Sequence, residues 1–430
     1  MPATSGPSFA PTGTDLPDDI VEIGTYPVAV EVFRSQQFQT ELSDGTDAIR
    51  YGTVLRLSAP EHPRRRRSLN RVLQHQNPQW FIDTFLEPAV SSELRLLTEQ
   101  SDDGGPTSAD LVQLLPKVSI SLAAAMIGIE VAGPDSLDEL NELVRAFREM
   151  AGVRWIVDAR SKEAAVRRAV EAKQKFDDRY FRPALHEHRE LLARRSAGRY
   201  DEELPPDFLT LVAAHLDPNA EDVLGKHVDT SLADRDMALR EAITSYIIGA
   251  VDTTTIVVTW CVHELTRWFA RHPEDAIRRT EPDFLYQALA ETLRLHPTNP
   301  ATMRIATEDV TLSDGTHVSA GQMVAVLTGQ AGRDPAVYGP DADGFSLRRE
   351  LPHGVLPYGL AFGSGAHMCY GLPLVLGTSG ADGSLVRILT MLYQAGMQAD
   401  SSRAPELIPG TYKEQFASYP VVFERAAGDA

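Results

Sequence analysis

Phe362-Gly363-Ser364-Gly365-Ala366-His367-Met368-Cys369-Tyr370-Gly371 is the stretch whose reading decides the fold. A cysteine that ligates iron must be held as thiolate, which calls for backbone N–H donors or the positive end of a helix near its sulfur. A glycine-rich turn opening onto Tyr370-Gly371-Leu372-Pro373-Leu374 offers both. Gly363, Gly365 and Gly371 also let the main chain approach a flat ligand where a Cβ would collide. The plain alternative is a small buried cysteine in a turn, the usual fate of a lone one.

The spacing decides between them. Phe, Gly, x, Gly, x, His, x, Cys, x, Gly resembles, position by position, the haem-binding loop of the cytochrome P450 family. The resemblance implies a mainly α fold with a small β part (α+β), a helical bundle around haem b. Cys369 is then the axial iron ligand, with Phe362, Gly363, His367 and Gly371 around the cofactor.

At 430 residues the chain is long enough for a large core. Length alone, at about 150 residues per domain, suggests two or three domains. No linker cuts it, so the expected organisation is an irregular arm over 1–25, punctuated by Pro2, Pro7, Pro11 and Pro17, and one thiolate-haem catalytic domain over 26–430. An apolar share of 43% and a charged share of 23% are ordinary for a globular protein. A net charge of −19 disfavours nucleic acid and anionic membranes as partners.

The two cysteines, Cys261 and Cys369, give no disulfide framework and suit a reducing interior. The N-terminal stretch has no basic region followed by an apolar run, so no signal peptide is read there. Ile243 to Val262 is the most apolar window, but it carries Asp252. An aspartate at bilayer mid-depth costs roughly 2.5 to 3.5 kcal/mol, which favours a buried helix and a cytoplasmic location.

Apolar spacing predicts helices over Val28–Leu42, from His62 through Val72, and over 80–90, 109–128, 135–150, 163–195, 207–216, 235–271 and 282–295, with a polar loop over 218–232. Strands are expected at 301–307, 310–312 and 323–327, with Asp314-Gly315 as a turn, and near Leu407 and 419–423.

Several further positions gain meaning from the resemblance, which covers roughly residues 60 to 425. Glu291 and Arg294 stand at i, i+3 on one helix face, usually no more than a surface ion pair. The family has this Glu-x-x-Arg before its cysteine with a third arginine following; Arg349 fits best and Arg348 is the fallback, with a structural role. In Gly249-Ala250-Val251-Asp252-Thr253, the Thr253 hydroxyl can bond the Gly249 carbonyl and open the helix. The resemblance makes Asp252 and Thr253 the pair that delivers protons to bound O2. It likewise implies that His62, Arg66, Arg304 and His367 hold the haem carboxylates, which are costly to bury unpaired. Arg64, Arg65 and Arg67 read as a solvated basic face bordering the docking surface of an acidic ferredoxin.

Two departures stand out. The chain before the early helix is short, so a reduced N-terminal helix and sheet are expected. Leu376 to Gly383 carries three glycines where the family continues a helix, and a break is expected there. The function implied is a haem-thiolate monooxygenase that inserts one oxygen atom of O2 into a small organic substrate of specialised (secondary) metabolism, fed from NAD(P)H through a reductase and ferredoxin. Pocket residues are expected at 40–59, Tyr246 and Ile247, 298–302 and 411–416. Oxidative coupling or desaturation on the same site is the alternative within the fold; a non-catalytic haem sensor or docking protein is the alternative outside catalysis. A cofactor-free acidic scaffold is the third reading.

Overall fold

The computed structural model describes residues 20–40, 46–74, 77–99, 106–131, 133–151, 159–199, 203–216, 230–378, 380–409 and 414–424. Most of the expected arm, most of the 218–232 loop, and residues 41–45 and 411–413 of the expected pocket segments lie outside them. The chain forms two compact units, one of Met1–Glu41, Leu97–Val112 and Thr255–Ala430, the other of Leu42–Leu96 and Gln113–Thr254. Helices dominate, with a small β part, as the sequence implied.

In the first unit a four-stranded sheet runs in the order Val21–Ile23, Met323–Val326, Thr302–Ala306, Phe38–Thr40, the first pair parallel and the others antiparallel. The Tyr26–Arg34 helix starts with proline in its first turn and buries Val28, Ala29, Val32 and Phe33. These pack on Ile23, Phe38, Ala306, Val324 and Val326. Each large apolar side chain buried there contributes about 1.5–3 kcal/mol.

Two expectations are corrected by this sheet. The helix predicted over Val28–Leu42 stops at Arg34, with Ser35 already extended. Beyond it Phe38 and Thr40 are buried on either side of the less buried Gln39, a period of two that pairs as a strand with Arg304–Ala306. The N-terminal strand and helix are likewise present, and Val21–Ile23, which the sequence reading left in the irregular arm, pairs with Val324–Val326.

The helix predicted from Ala109 begins two residues later. Thr107–Asp110 is a strand paired with Pro420–Phe423, which also pairs with Met397–Ala399. Asp110 then turns the chain by accepting the Val112 N–H at 2.8 Å, and the Leu111–Ile127 helix starts. Val310–Thr311 and His317–Val318 form the small hairpin around Gly315, whose φ of +90° is the left-handed conformation a turn glycine permits. Ser384–Gln394 packs along Pro282–Leu295.

The second unit is helical. Pro134–Ala151 packs on Ala159–Phe176, with the Phe147 and Phe176 rings edge to face at 6.1 Å. Arg235–Glu241 runs into a π-helix, Ala242–Ile248, and on into Gly249–Arg271, whose residues from Thr255 onward belong to the first unit. This rod, Arg235–Arg271, is the one helix among the described residues long and apolar enough to cross a membrane, and 72% of its most apolar window is buried within the protein.

In the second unit His188 hydrogen-bonds through Nδ1 to the Ala184 carbonyl (2.7 Å) and through Nε2 to Asp207 (3.0 Å). Asp207 in turn caps the Phe208–His215 helix by accepting the Thr210 N–H at 2.7 Å. Burial opposes charge on the ring, but the Asp207 hydrogen bond and charge outweigh it and raise the pKa. The folded protein therefore holds this proton more tightly than the unfolded chain, whose His titrates near about 6.5. The stabilisation is complete below that value and is lost as pH rises through the folded-state pKa. Urea denaturation of His188→Gln is expected to show a larger deficit against wild type at about pH 5.5 than at about pH 8.5.

Candidate active site

The cysteine loop belongs to the first unit. Gly363 and Gly365 adopt φ of +68° and +71°, where side chains other than glycine's are strained. At Gly365 there is also no room: a Cβ would stand 2.7 Å from the Phe33 carbonyl oxygen and 3.1 Å from Arg34 Cα. The loop is thus seated on the C-terminal end of the Tyr26–Arg34 helix, and Arg34 Nε donates to Ser364 Oγ at 3.0 Å. The Cys369 N–H donates to the Phe362 carbonyl at 2.9 Å, which closes the loop and leaves Cys369 exposed. Phe362 meets the Tyr358 ring edge to face at 5.2 Å. Gly371 faces the thiol; a Cβ there would lie 3.6 Å from Sγ. His367 ends the single 3-10 turn Gly365–His367.

The helix after the cysteine is one turn, Leu372–Val375, and the expected break follows it. Gly377 has φ +90°, and a Cβ on Gly383 would meet the Leu376 carbonyl carbon and the Val375 oxygen at 2.4 Å. Main chain thus presses on main chain, and the next helix, Ser384–Gln394, begins only beyond this contact. So short a helix carries little macrodipole.

Arg304 lies on the central Thr302–Ala306 strand and is 6% exposed. Its Nη1 donates to the Met303 carbonyl at 2.9 Å, and its guanidinium stands 5.2 Å from the Phe33 ring centre. No carboxylate pairs with it among the described residues, and burial alone pulls its pKa down to about 10. Arg304 and Gly365 both touch the Phe33–Arg34 end of one helix.

Glu291, Arg294 and Arg349 are joined. Glu291 accepts from Arg294 Nε at 2.7 Å and Nη2 at 2.6 Å, from Arg349 Nε at 3.2 Å and from the Ser346 N–H at 3.0 Å. Arg294 spends its other donors on the carbonyls of Gly332, Ala342 and Gly344. Arg349 bonds the Tyr338 carbonyl and Asp341. Arg348, the fallback, points elsewhere and reaches Glu274 on the surface.

The second unit holds the remaining candidates. His62 is 4% exposed on the Glu61–Asn70 helix. Burial first, then the charge of Arg66, lowers its pKa to about 4, so it is neutral near pH 7. Arg66 Nε donates to Asn70 Oδ1 at 3.1 Å. Arg65 is a correction. Expected on a solvated face, it is 1% exposed and paired with the fully buried Glu241. Glu241 also accepts the Val54 N–H at 2.9 Å and the Ser245 hydroxyl. Three donors on one carboxylate repay the burial of a charge that sequence spacing alone assigns to solvent.

Thr253 Oγ1 donates to the Gly249 carbonyl at 2.7 Å, next to the widened Ala242–Ile248 turns. Asp252 is 6% exposed and accepts from Arg148 Nε and Nη2 at 3.2 and 3.1 Å. Arg148 was not legible in the sequence, since one arginine among several in an amphipathic helix carries no mark of its partner. Glu241 was missed for the same reason.

A family model described as Cytochrome P450 matches residues 277–375. The chain is 30% identical over 184 residues to the indoleacetaldoxime dehydratase of Arabidopsis thaliana, a match covering 37% of each chain. It is 28% identical to the nocardicin C N-oxygenase of Nocardia uniformis subsp. tsuyamanensis over 76% of this chain and 69% of that one. Among solved structures it resembles substrate-free CYP109E1 from Bacillus megaterium, with a TM-score of 0.69 at 18% identity, over 96% of this chain and 95% of that one. That likeness concerns the fold alone.

Glu291→Gln is expected to leave the Arg294 and Arg349 charges under-matched and to cost about 3–5 kcal/mol, read by thermal or urea unfolding. Arg348→Ala is expected to stay within about 0.5 kcal/mol of wild type.

Proposed function

The chain belongs to the cytochrome P450 family of monooxygenases, and from that premise we propose that it binds haem b on Cys369 and inserts one oxygen atom of O2 into a small organic substrate of specialised metabolism. The observation that carries the cofactor assignment is Arg304: a buried guanidinium with no carboxylate partner among the described residues, packed on the same helix end that seats the cysteine loop. Such a cation fits an anionic group of the cofactor.

When bound, thiolate-ligated haem supplies O2 activation and favours O–O cleavage. The chain's own residues do the rest. The Phe362–Gly371 loop presents the Cys369 thiolate. The residues that would hold the haem carboxylates, each by its N–H groups, are Arg304 and His367 in the first unit and Arg66 and the neutral His62 in the second. Asp252, clasped by Arg148 at Oδ1, and Thr253, whose Oγ1 is bonded to the Gly249 carbonyl, are the residues proposed to relay protons. Glu291, Arg294 and Arg349 act structurally, behind the loop.

Electrons come from NAD(P)H through a ferredoxin-type donor of acidic surface, met by the exposed Arg64 and Arg67, in a cytoplasmic setting. The segments proposed to contact substrate are those expected from the sequence: 298–302 and 411–416 in the first unit, Tyr246 and Ile247 in the second, and 40–59, which passes from the first to the second after Glu41. Oxidative coupling and desaturation use the same residues. The broken helix after Cys369 favours one other reading, a haem sensor without turnover, which needs no Asp252–Thr253 pair.

The reduced protein exposed to carbon monoxide is expected to show a strongly red-shifted Soret band, absent in Cys369→Ser. A band at the position of histidine-ligated haem, or no haem, overturns the assignment. Arg304→Ala is expected to speed haem transfer to a scavenger protein by about tenfold to a hundredfold, the loss of one charged hydrogen bond. Thr253→Ala is expected to lower product formed per NADPH oxidised; unchanged coupling removes Thr253 from proton delivery.

A further inference from the structure

Thr40, at the end of the Phe38–Thr40 strand, is 7% exposed, and its Oγ1 has no hydrogen-bond partner among the described residues. Folded proteins rarely leave a buried hydroxyl unmet, because nothing then repays its loss of water. Strand propensity alone does not call for the hydroxyl. Valine is β-branched too, suits a strand as well and carries no polar atom.

The register of the four-stranded sheet shows what lies beside it. Thr40 stands directly opposite Arg304 in the antiparallel pairing with the Thr302–Ala306 strand. Residues so paired project from the same face, with Cβ atoms about 4.5–5.5 Å apart. Arg304 is paired in turn with Val324, and Val324 with Val21. One row across the sheet therefore reads Val21, Val324, Arg304, Thr40, apolar on one side and polar toward the edge strand. The same face carries Phe38 and Ala306, which cluster with Phe33 of the Tyr26–Arg34 helix. The Arg304 guanidinium stands over that Phe33 ring, and the cysteine loop sits on the same helix end.

The two polar residues of the row do not satisfy each other. A guanidinium only donates, and a threonine hydroxyl could accept from it, yet Arg304 donates to the Met303 carbonyl and Thr40 Oγ1 takes part in no bond. No acidic side chain bonds either of them among the described residues. A cation and a second donor side by side on one face suit an anion with more than one acceptor oxygen, and a carboxylate has two.

We infer that Thr40 is a cofactor-binding residue whose hydroxyl donates to the carboxylate held by Arg304, so that the pair forms one two-donor anion site. The inference rests on the proposed haem and narrows that reading: Thr40, the first residue of a segment proposed to contact substrate, serves the cofactor's carboxylate instead. Arg304 supplies the charge, and Thr40 directs one oxygen.

The test uses the full-length holoprotein as wild type, Thr40→Val and Thr40→Ser, with two readouts. One is the rate of haem transfer to a scavenger protein in excess. The other is the bending band of the haem carboxylate side chains in the resonance Raman spectrum, which responds to hydrogen bonds on the carboxylate. Thr40→Val keeps the shape and removes the donor. Its haem transfer is expected to be about tenfold faster, the loss of one hydrogen bond to a charged group, and its carboxylate band to shift. Thr40→Ser keeps the donor and is expected to stay within about threefold of wild type, with the band in place. Serine is the poorer strand former, so rescue by serine and not by valine separates donation from packing.

Wild-type transfer and an unmoved band in Thr40→Val overturn the inference and leave the haem and Arg304 assignments standing. Faster transfer with an unmoved band, or a Thr40→Ser protein that behaves as Thr40→Val does, gives Thr40 a packing role and overturns it as well. A wild-type protein that holds no haem, recognised by its missing Soret band, overturns the cofactor reading and the inference with it.

Discussion

The guanidinium of Arg294 is the constraint on which the region behind the cysteine loop depends. It is 1% exposed, and a charge so placed is tolerated only if its donors are met. Glu291 supplies the countercharge from one helical turn away, and three main-chain carbonyls, at Gly332, Ala342 and Gly344, supply the remainder. Those carbonyls must turn toward one point, which dictates the path of the chain between the Met323–Val326 strand and the cysteine loop. The approach is close enough to exclude a side chain at Gly332, where a Cβ would stand 2.2 Å from the Arg294 carbonyl oxygen. Arg349 closes the arrangement by sharing Glu291 and bonding the same Gly344 carbonyl. One buried cation thereby converts an irregular segment into a fixed support.

Legibility in the sequence followed the range of each interaction. The Thr253 bond to Gly249, the Glu291–Arg294 pair and the break after Leu376 are local, spanning a few residues, and spacing exposes them. The Arg65–Glu241 pair spans 176 residues and the Arg148–Asp252 bond 104. No periodicity announces such partners, and a run of four arginines looks solvated until the unpaired face of its helix is known. The strand Phe38–Thr40 was hidden for a related reason. Its period of two is only three residues long, and it directly follows a helix of similar apolar content, so the partner strand Thr302–Ala306 decides its conformation rather than its own residues.

The segment after Cys369 shows how a local rule can be strict and still leave function to other groups. Gly377 and Gly383 bring two stretches of main chain within contact, and the helix between the cysteine and that contact is a single turn. A long helix would place an aligned dipole beside the cysteine, and a single turn does not. The cysteine loop is fixed by the Gly363–Gly365 conformation and its seat on Phe33 and Arg34 rather than by the helix that follows.

Four arginines among the described residues expose less than a tenth of their surface: Arg56, Arg65, Arg294 and Arg304. Three have an acid at hand: Asp47 for Arg56, Glu241 for Arg65, Glu291 for Arg294. Arg304 has a single main-chain carbonyl and an aromatic face. Desolvating a cation without a counterion costs several kcal/mol, more than one neutral hydrogen bond and a cation–π contact of about 2 kcal/mol return. A sheet strand could carry an apolar residue there at no such cost, and its neighbours Met303 and Ile305 do. The charge is therefore a net burden on the protein as it stands, and it becomes favourable only when an anion arrives. That asymmetry separates Arg304 from the other three, whose charges are already balanced within the fold.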